Sequence, residues 1–486
     1  MKYWLIIVIV ILLGYIAFLR KKQKRTLSIN SNHASSTTVS LARKGIGSRR
    51  SSRNLIEIEM PDFFDLTKEK QEIIDILENS KNSVFLTGKA GTGKSNFLKY
   101  YRNTTKKNVT VLAFTGVAAV NVQGQTIHSF FKFHPQTTID SIKKRWGNDS
   151  NIYKKIDIII IDEISMVRAD LLDFIDKFMR LNGPSNNKPF GGVQVLAIGD
   201  LFQLPPIVTK DEEKYFEKVY KSPFFFDSMV YGKAGFIKKE LTELYRQDKE
   251  SQSEFIKTLD NIRTCSFGEK DINLINSRYD SFYEKPANEF VISLVPTNNL
   301  ADSINTIELS KVPTKSFTYK GIITGDFKEK NLPTAQELVL KEGAQVMLLN
   351  NDSRKRWVNG DIVKVIKTDY NSIRVLFDDG SFDDVTQYKW ESIRFIFDEE
   401  SNKILPEVTG TFTQLPVKLA WAVTIHKGQG KTFEKVHIDF GNGTFASGQA
   451  YVALSRCRSL EGMVLTSPME EQHIFFDSRI KEFMDL

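Results

Sequence analysis

The chain is poor in the residues that staple or metallate small domains. Its 486 residues include two cysteines, Cys265 and Cys457, far apart in sequence. Neither a disulfide framework nor a cysteine-based zinc site is expected, and the pattern fits a reducing compartment. The six histidines are scattered, and none belongs to an H-E-x-x-H pair. Acid is missing altogether from residues 1–56, which hold eleven Lys/Arg; Glu57 is the first carboxylate. The remainder carries 56 basic against 59 acidic residues, so the net charge of +8 resides in the N-terminal tail. The basic balance therefore says nothing about the body, where any nucleic-acid groove must be a local patch. No solenoid-type repeat is visible. The length and the 41% hydrophobic content suit two or three globular domains.

One long apolar run is present. Tyr3–Leu19 is seventeen uncharged residues followed by RKKQKR. As a helix it spans roughly 25 Å, enough for a bilayer core. The basic flank predicts a C-terminal body on the cytosolic side, or in an organellar matrix. The expectation is a transmembrane anchor with basic flank over 1–25, then a Ser/Asn/Arg-rich disordered basic linker over 26–60. Membrane anchoring through residues 3–19 and mitochondrial import compete here. A cleaved secretory signal fits less well, because its charges precede the apolar run, and the chain is not expected to be secreted.

Gly88–Ser95 reads GKAGTGKS, a full match to G-x-x-x-x-G-K-[ST]. Apolar Val84-Phe85-Leu86 precedes it and helix-prone Asn96-Phe97-Leu98-Lys99 follows. A strand turning into a helix through glycines aims backbone N–H groups at a phosphate. Gly88, Ala90, Gly91, Thr92, Gly93, Lys94 and Ser95 are the candidate nucleotide-binding residues. Lys94 reaches the β- and γ-phosphates, and Ser95 holds Mg²⁺. About seventy residues later the apolar run Ile156–Ile161 ends in Asp162 and Glu163. A parallel strand buried on both faces reads this way, and ligands bind at its C-terminal end. Asp162 is the second candidate Mg²⁺ ligand, and Glu163 the group that polarises the attacking water.

Strand and helix patterns alternate from Asp65 onward, which predicts a parallel sheet with helices on both faces. Val109–Ala113 and Val193–Ile198 read as strands. Arg168–Arg180 reads as an amphipathic helix with the core stripe Leu171, Leu172, Ile175, Phe178 and Met179. A second such unit starts near Phe236, with strand candidates Val291–Val295, Gln345–Leu349 and Val436–Phe440. Short β-prone runs at Ile362–Ile366, Ile373–Phe377 and Ile393–Ile396, broken by Asp378–Gly380, predict a small antiparallel barrel inserted in it. The domains are thus expected at 61–235 and 236–486, with the barrel at about 358–412.

Further strings go beyond a generic ATPase. Gln203 in GDLFQLPPI can hydrogen-bond the γ-phosphate or its water. Arg246 in ELTELYRQ and Arg456 in GQAYVALSRCRSLEGM can reach the triphosphate, where such arginines are worth roughly 10³–10⁵ in rate. With AFTGVAAVNVQGQTIHSFF (Ala113–Phe131), IDEISMV (Ile161–Val167), PFGGVQ (Pro189–Gln194), TIHKGQG (Thr424–Gly430) and DSRIKEF (Asp477–Phe483), this ordered set resembles the petite-integration-frequency (PIF) family of 5′-to-3′ DNA helicases in superfamily one. The resemblance covers about Phe64 to the C-terminus.

The resemblance implies an α/β fold of two RecA-like P-loop NTPase domains with ATP between them. It adds a small insert in the first domain and a Src-homology-like β-barrel in the second. It implies an ATP- and Mg²⁺-dependent DNA helicase that moves 5′ to 3′ on single strands and opens forked DNA in repair, recombination or replication. Lys94, Glu163, Gln203, Arg246 and Arg456 take the catalytic roles. Thr115, His128, Phe130, Thr424 and His426 match segments that line the single-strand path. Aromatic faces stack bases there, and hydroxyls bind phosphates; core packing is the competing reading for Phe130. The family's adenine-reading Gln stands four residues after a Leu. From Leu66 that position is Lys70, and Gln71 follows it. Two other functions fit the motifs: a membrane-tethered, nucleic-acid-stimulated ATPase switch, and an RNA helicase.

Overall fold

In the computed structural model the apolar runs of the first half become parallel strands. The structure describes residues 58, 60, 61 and 64–486, except 135–136, 148–149, 244–252, 287–288, 441–442, 445 and 485–486. β1 (Val84–Gly88), β2 (Val109–Ala113), β3 (Gln125–Thr126), β4 (Ile158–Asp162), β5 (Gln194–Ile198) and β6 (Ile237–Leu241) form one sheet in the order β3-β2-β4-β5-β1-β6. Every pairing in it is parallel. β1, β2 and β5 are buried at each position, as a sheet covered by helices on both faces requires. The predicted amphipathic helix spans Ala169–Asn182, and all five residues of its stripe are buried.

The sheet runs past the expected boundary at 235/236, because β6 pairs with β1. β6 reads IKKEL and only Leu241 is buried. A strand with one free edge tolerates lysines and glutamate, so its sequence carries no apolar run.

β7 (Ile292–Val295) opens a second parallel sheet. The chain then departs through helix Asn298–Lys311 into β8 (Ser316–Lys320), β9 (Ile322–Gly325), β10 (Glu337–Lys341), β11 (Gln345–Leu348), β12 (Ile362–Thr368), β13 (Ser372–Leu376), β14 (Phe382–Thr386), β15 (Tyr388–Asp398), β16 (Lys403–Gln414) and β17 (Val417–Leu419). These pair antiparallel as β10-β8, β14-β13-β12-β11-β17 and β15-β16-β9. The chain returns as β18 (Ala422–Thr424), β19 (Val436–Ile438) and β20 (Met463–Leu465), completing the parallel order β18-β7-β19-β20.

β11 corrects one expectation. It belongs to the antiparallel insertion, not to the second parallel sheet. It is apolar throughout because it separates two cores: Met347 faces one, while Val346 and Leu348 face the other. A strand buried on both faces reads the same in either kind of sheet.

The β15–β16 hairpin reaches the first sheet's side of the molecule. Ile393, Phe395 and Ile404 join that sheet's hydrophobic core. Phe395 N donates to Gln125 Oε1 at 3.3 Å, and Ile404 N to Asn108 Oδ1 at 3.1 Å.

The expected membrane-anchored placement is not upheld. Among the described residues no helix is long and apolar enough to cross a membrane. The helices present are amphipathic, with polar faces that a bilayer core would strand. Residues 3–19, the 1–25 segment and the linker to residue 57 lie outside the described residues.

Candidate nucleotide and strand sites

β1 ends in the glycine loop, and helix Lys94–Thr104 starts at its far side. Gly91 and Gly93 hold φ of +87° and +84°, a left-handed conformation that residues with a Cβ rarely adopt. The helix N-terminus thereby opens toward the loop. Thr92 Oγ1 donates to Lys89 O at 3.0 Å, bracing the turn from inside. Lys94 Nζ lies 2.6 Å from Gly88 O and 2.9 Å from Lys89 O, at the mouth of the loop.

A cleft over this loop is lined by Lys94, Ser95, Glu163, Gln203, Gly430 and Arg456. Five segments widely separated in the chain thus converge on one cavity. Asp162 closes β4 and Glu163 follows it with φ +52° and ψ +47°. A non-glycine residue held there carries on the order of 1–3 kcal/mol of strain, as functional turns often do. Burial and the charge of Glu163 push the Asp162 carboxyl up to about 7. Burial also raises Glu163, against the pull of Lys94. Two adjacent carboxyls, the second on a cleft that Ser95 also lines, are hard oxygen donors of the kind that suit Mg²⁺, whose remaining positions come from water and substrate phosphates. Among the described residues no cluster of three His, Cys, Asp or Glu could hold a metal unaided.

Gln203 donates to Asp200 Oδ2 at 3.2 Å. Arg456 is fully buried. Its Nε donates to Val452 O at 2.8 Å, Nη1 to Lys431 O at 3.1 Å and Nη2 to Ser455 Oγ at 2.7 Å. Arg246 lies outside the described residues.

Several partners at this cleft belong to no role read from the motifs. Arg263 Nη2 meets Asp200 Oδ1 at 2.9 Å, both side chains almost wholly buried. Burial works to raise the Asp200 carboxyl, but the charges of Arg263 and Lys94 and the hydrogen bonds from Arg263 and Gln203 together hold it below its ordinary value. Arg263 also lies over the Phe202 ring at 4.3 Å, so it fixes the loop that presents Gln203. Gln429 Nε2 donates to Glu163 Oε2 at 3.3 Å, and Ala90 N to the Tyr451 hydroxyl at 3.4 Å. Lys89 pairs with Asp260 at 2.5 Å. Gly448, with φ +71°, abuts Gln203 O, which a Cβ would approach to 2.8 Å. Tyr451 and Gln429 stand inside the strings GQAYVALSRCRSLEGM and TIHKGQG, so the sequence carries a signal for both. Arg263 stands in none.

Phe64, Asp65 and Lys70 line the same cleft. Phe64 stacks on Tyr100 with centroids 3.9 Å apart, and Lys70 Nζ donates to Asp65 O at 2.6 Å. Gln71 is not brought here. It donates to Asp75 Oδ1 at 2.8 Å on its own exposed helix face, because one residue of offset on a helix turns a side chain by about 100°.

The expected strand-path residues divide. Thr115 caps helix Gly116–Asn121, accepting from Ala118 N at 3.2 Å. Thr424 caps helix Ile425–Gly428, accepting from Lys427 N at 3.2 Å. His128 and His426 are half-buried, and burial lowers both imidazoles, which leaves them neutral hydrogen-bonding groups at pH 7. Phe130 is 4% exposed. It packs against Phe131, Tyr153 and Phe395 at centroid distances of 4.9, 5.4 and 6.2 Å. Its faces are committed to the core and unavailable to a base.

The sequence pattern of the family described as PIF1-like helicase matches residues 65–272. The chain is 31% identical over 429 residues to the ATP-dependent DNA helicase Pif1 of Bdellovibrio bacteriovorus, covering 86% of this chain and 91% of that one. It is 32% identical over 453 residues to the ATP-dependent DNA helicase Pif1 of a Psychrobacter species, covering 81% of this chain but 66% of the relative's length. The structure of Bacteroides Pif1 with ADP-AlF4 superposes with a TM-score of 0.81 at 38% identity, covering 87% of this chain and 97% of that one. The single-stranded-DNA-bound form of Bacteroides Pif1 gives 0.62 at the same identity and coverage. The two α/β lobes thus correspond to RecA-like domains. Relatives named as DNA helicases give no ground for a membrane-anchored body, which completes that correction. The chain belongs to the PIF1-like helicase family.

Proposed function

We infer that the chain is an ATP-dependent DNA helicase that translocates on single-stranded DNA, 5′ to 3′, and opens forked duplexes. The observation that carries this is the convergence of Lys94, Ser95, Glu163, Gln203 and Arg456 on one cleft, drawn from both lobes. The relatives' names and the nucleotide- and single-strand-bound forms of Bacteroides Pif1 support the same reading.

Lys94 and the loop N–H groups hold the triphosphate. Ser95 and Asp162 would hold Mg²⁺, which supplies positive charge against the phosphoryl oxygens. Glu163 accepts a proton from, or orients, the attacking water. Gln203 senses the γ-phosphate position through the loop that Arg263 braces. Arg456, from the second lobe, spreads the charge developing in the transition state, and Arg246 is assigned the same task on its YRQ motif. Phe64 and Lys70 take the base end. A residue that serves the reaction from the far lobe makes catalysis depend on closure, which is how hydrolysis becomes motion. Thr115, His128, Thr424 and His426 contact the strand; Phe130 does not. The lobes divide after Leu241, and the antiparallel strands within about 358–412 form the body of the inserted barrel.

Unwinding by the full chain of forks with only a 5′ or only a 3′ single-stranded tail tests this. ATP-dependent opening of the 5′-tailed fork alone is expected. Opening of the 3′-tailed fork alone would refute the polarity. No opening of either, with ATP still hydrolysed, would refute the helicase reading.

A further inference from the structure

Helix Lys68–Asn79 buries Lys70, Ile73 and Leu77. These positions share one helical face, so a lysine holds the first place in a core stripe. Lys70 is 3% exposed, a burial that lysine adopts almost only with its charge engaged. Its Nζ donates to Asp65 O at 2.6 Å and lies 5.1 Å from the centroid of the Phe64 ring. All three residues line the cleft that the glycine loop also lines.

The other lining residues say which end of a nucleotide comes here. Lys94, Ser95 and the loop N–H groups suit phosphates, and Glu163, Gln203 and Arg456 stand with them as the reacting groups. Phe64, Asp65 and Lys70 belong to neither set. Phe64 stacks on Tyr100, which follows Ser95 in the same helix by roughly 7.5 Å along its axis. That separation leaves room for a sugar between the phosphates and the base.

An ammonium carries donors and no acceptor. Guanine presents two adjacent acceptors, N7 and O6, where adenine presents the acceptor N7 beside the donor N6–H2. Lysine therefore matches guanine at both atoms and opposes adenine's amino N–H groups at one, whereas a glutamine amide would match adenine at both. The neighbouring amide, Gln71, is spent elsewhere, donating to Asp75 Oδ1 at 2.8 Å.

We propose that Lys70 is a specificity-determining residue that admits guanine at the base end of the cleft, so that GTP is hydrolysed alongside ATP. This rests on the nucleotide-hydrolysing reading of the cleft given above and names its second substrate.

The test is steady-state hydrolysis of ATP and of GTP by the full chain, with an oligothymidylate strand present. In the wild-type chain kcat/KM for GTP should lie within about tenfold of that for ATP. In Lys70→Gln the GTP-to-ATP ratio of kcat/KM should fall about tenfold, the worth of a two-point base contact, and the change should fall on KM rather than kcat. Lys70→Arg keeps a cation with donors only and should hold the wild-type ratio. Both nucleotides meet the same folded fraction, so the ratio is insensitive to partial unfolding of a variant. Gln71→Ala should leave the ratio unchanged. A wild-type preference for ATP above about 100-fold, a wild-type ratio in Lys70→Gln, or a loss of ATP preference in Gln71→Ala overturns the proposal. Hydrolysis of neither nucleotide by the wild-type chain overturns the reading of the cleft itself, whereas hydrolysis of ATP alone overturns only the role of Lys70.

Discussion

The two parallel sheets repeat one device and differ in another. Two residues beyond β2 stands Thr115, and two beyond β7 stands Thr297; the last residue of β3 is Thr126, and that of β18 is Thr424. Each caps the next helix, accepting from the N–H three residues on at 3.2, 3.3, 3.2 and 3.2 Å respectively. The capping pair is therefore duplicated between the lobes. The glycine loop of β1 and the acid pair of β4 belong to the first sheet, and the second answers with Arg456 and Gln429. The threonine caps thus recur in both lobes, whereas the residues lining the cleft over the glycine loop are divided between them.

That contrast can be broken from either side. Arg456→Ala removes the second lobe's charge from the cleft; ATP turnover should fall by about 10³–10⁵-fold, measured by steady-state hydrolysis with DNA present. An equal loss of nucleotide affinity would instead make Arg456 a ground-state binder. Glu163→Gln removes the first lobe's base with little change in shape, and turnover should fall by about 10²–10⁴-fold while nucleotide binding persists. Arg263→Ala leaves Asp200 buried without its cation. Thermal or denaturant unfolding should show a loss of about 3–5 kcal/mol, which Asp200→Asn in the same chain partly relieves. Phe130→Ala should cost a similar 3–5 kcal/mol, with single-strand affinity retained by the folded fraction; a selective loss of DNA binding would return Phe130 to the strand path. The smallest effect belongs to the repeated caps. Thr115→Val and Thr424→Val should each lower stability by about 1 kcal/mol, and DNA affinity should fall in both if the lobes grip equally.

Much of the candidate site is legible in the sequence because its pieces are local. A phosphate loop needs its glycines and lysine within eight residues, and a buried strand ending in Asp-Glu needs no distant partner to be recognised. The stripe Leu171, Leu172, Ile175, Phe178 and Met179 was equally plain, since helical periodicity is written in neighbouring residues. Other features were not local. β6 carries no apolar run because an edge strand tolerates charged residues, here two lysines and a glutamate in five. β11 reads alike for either kind of sheet because burial on two faces erases alternation. Gln71 fell away from the cleft through a single residue of helical phase. Phe130 sits in a motif shared with strand-contacting residues, yet only its packing against Tyr153 and Phe395 shows which way it faces.

By sequence alone, the pieces of the candidate site are legible: a nucleotide loop, an Asp-Glu pair at the end of a buried strand and an ordered series of strings like those of the helicase family. These depend on contiguous residues whose spacing is covalent. The tertiary structure decided which residues meet across the cleft: Arg263 with Asp200, Gln429 with Glu163, Tyr451 with the loop at Ala90. Such encounters depend on how sheets stack and where an insertion leaves and rejoins the chain, and no local spacing encodes them.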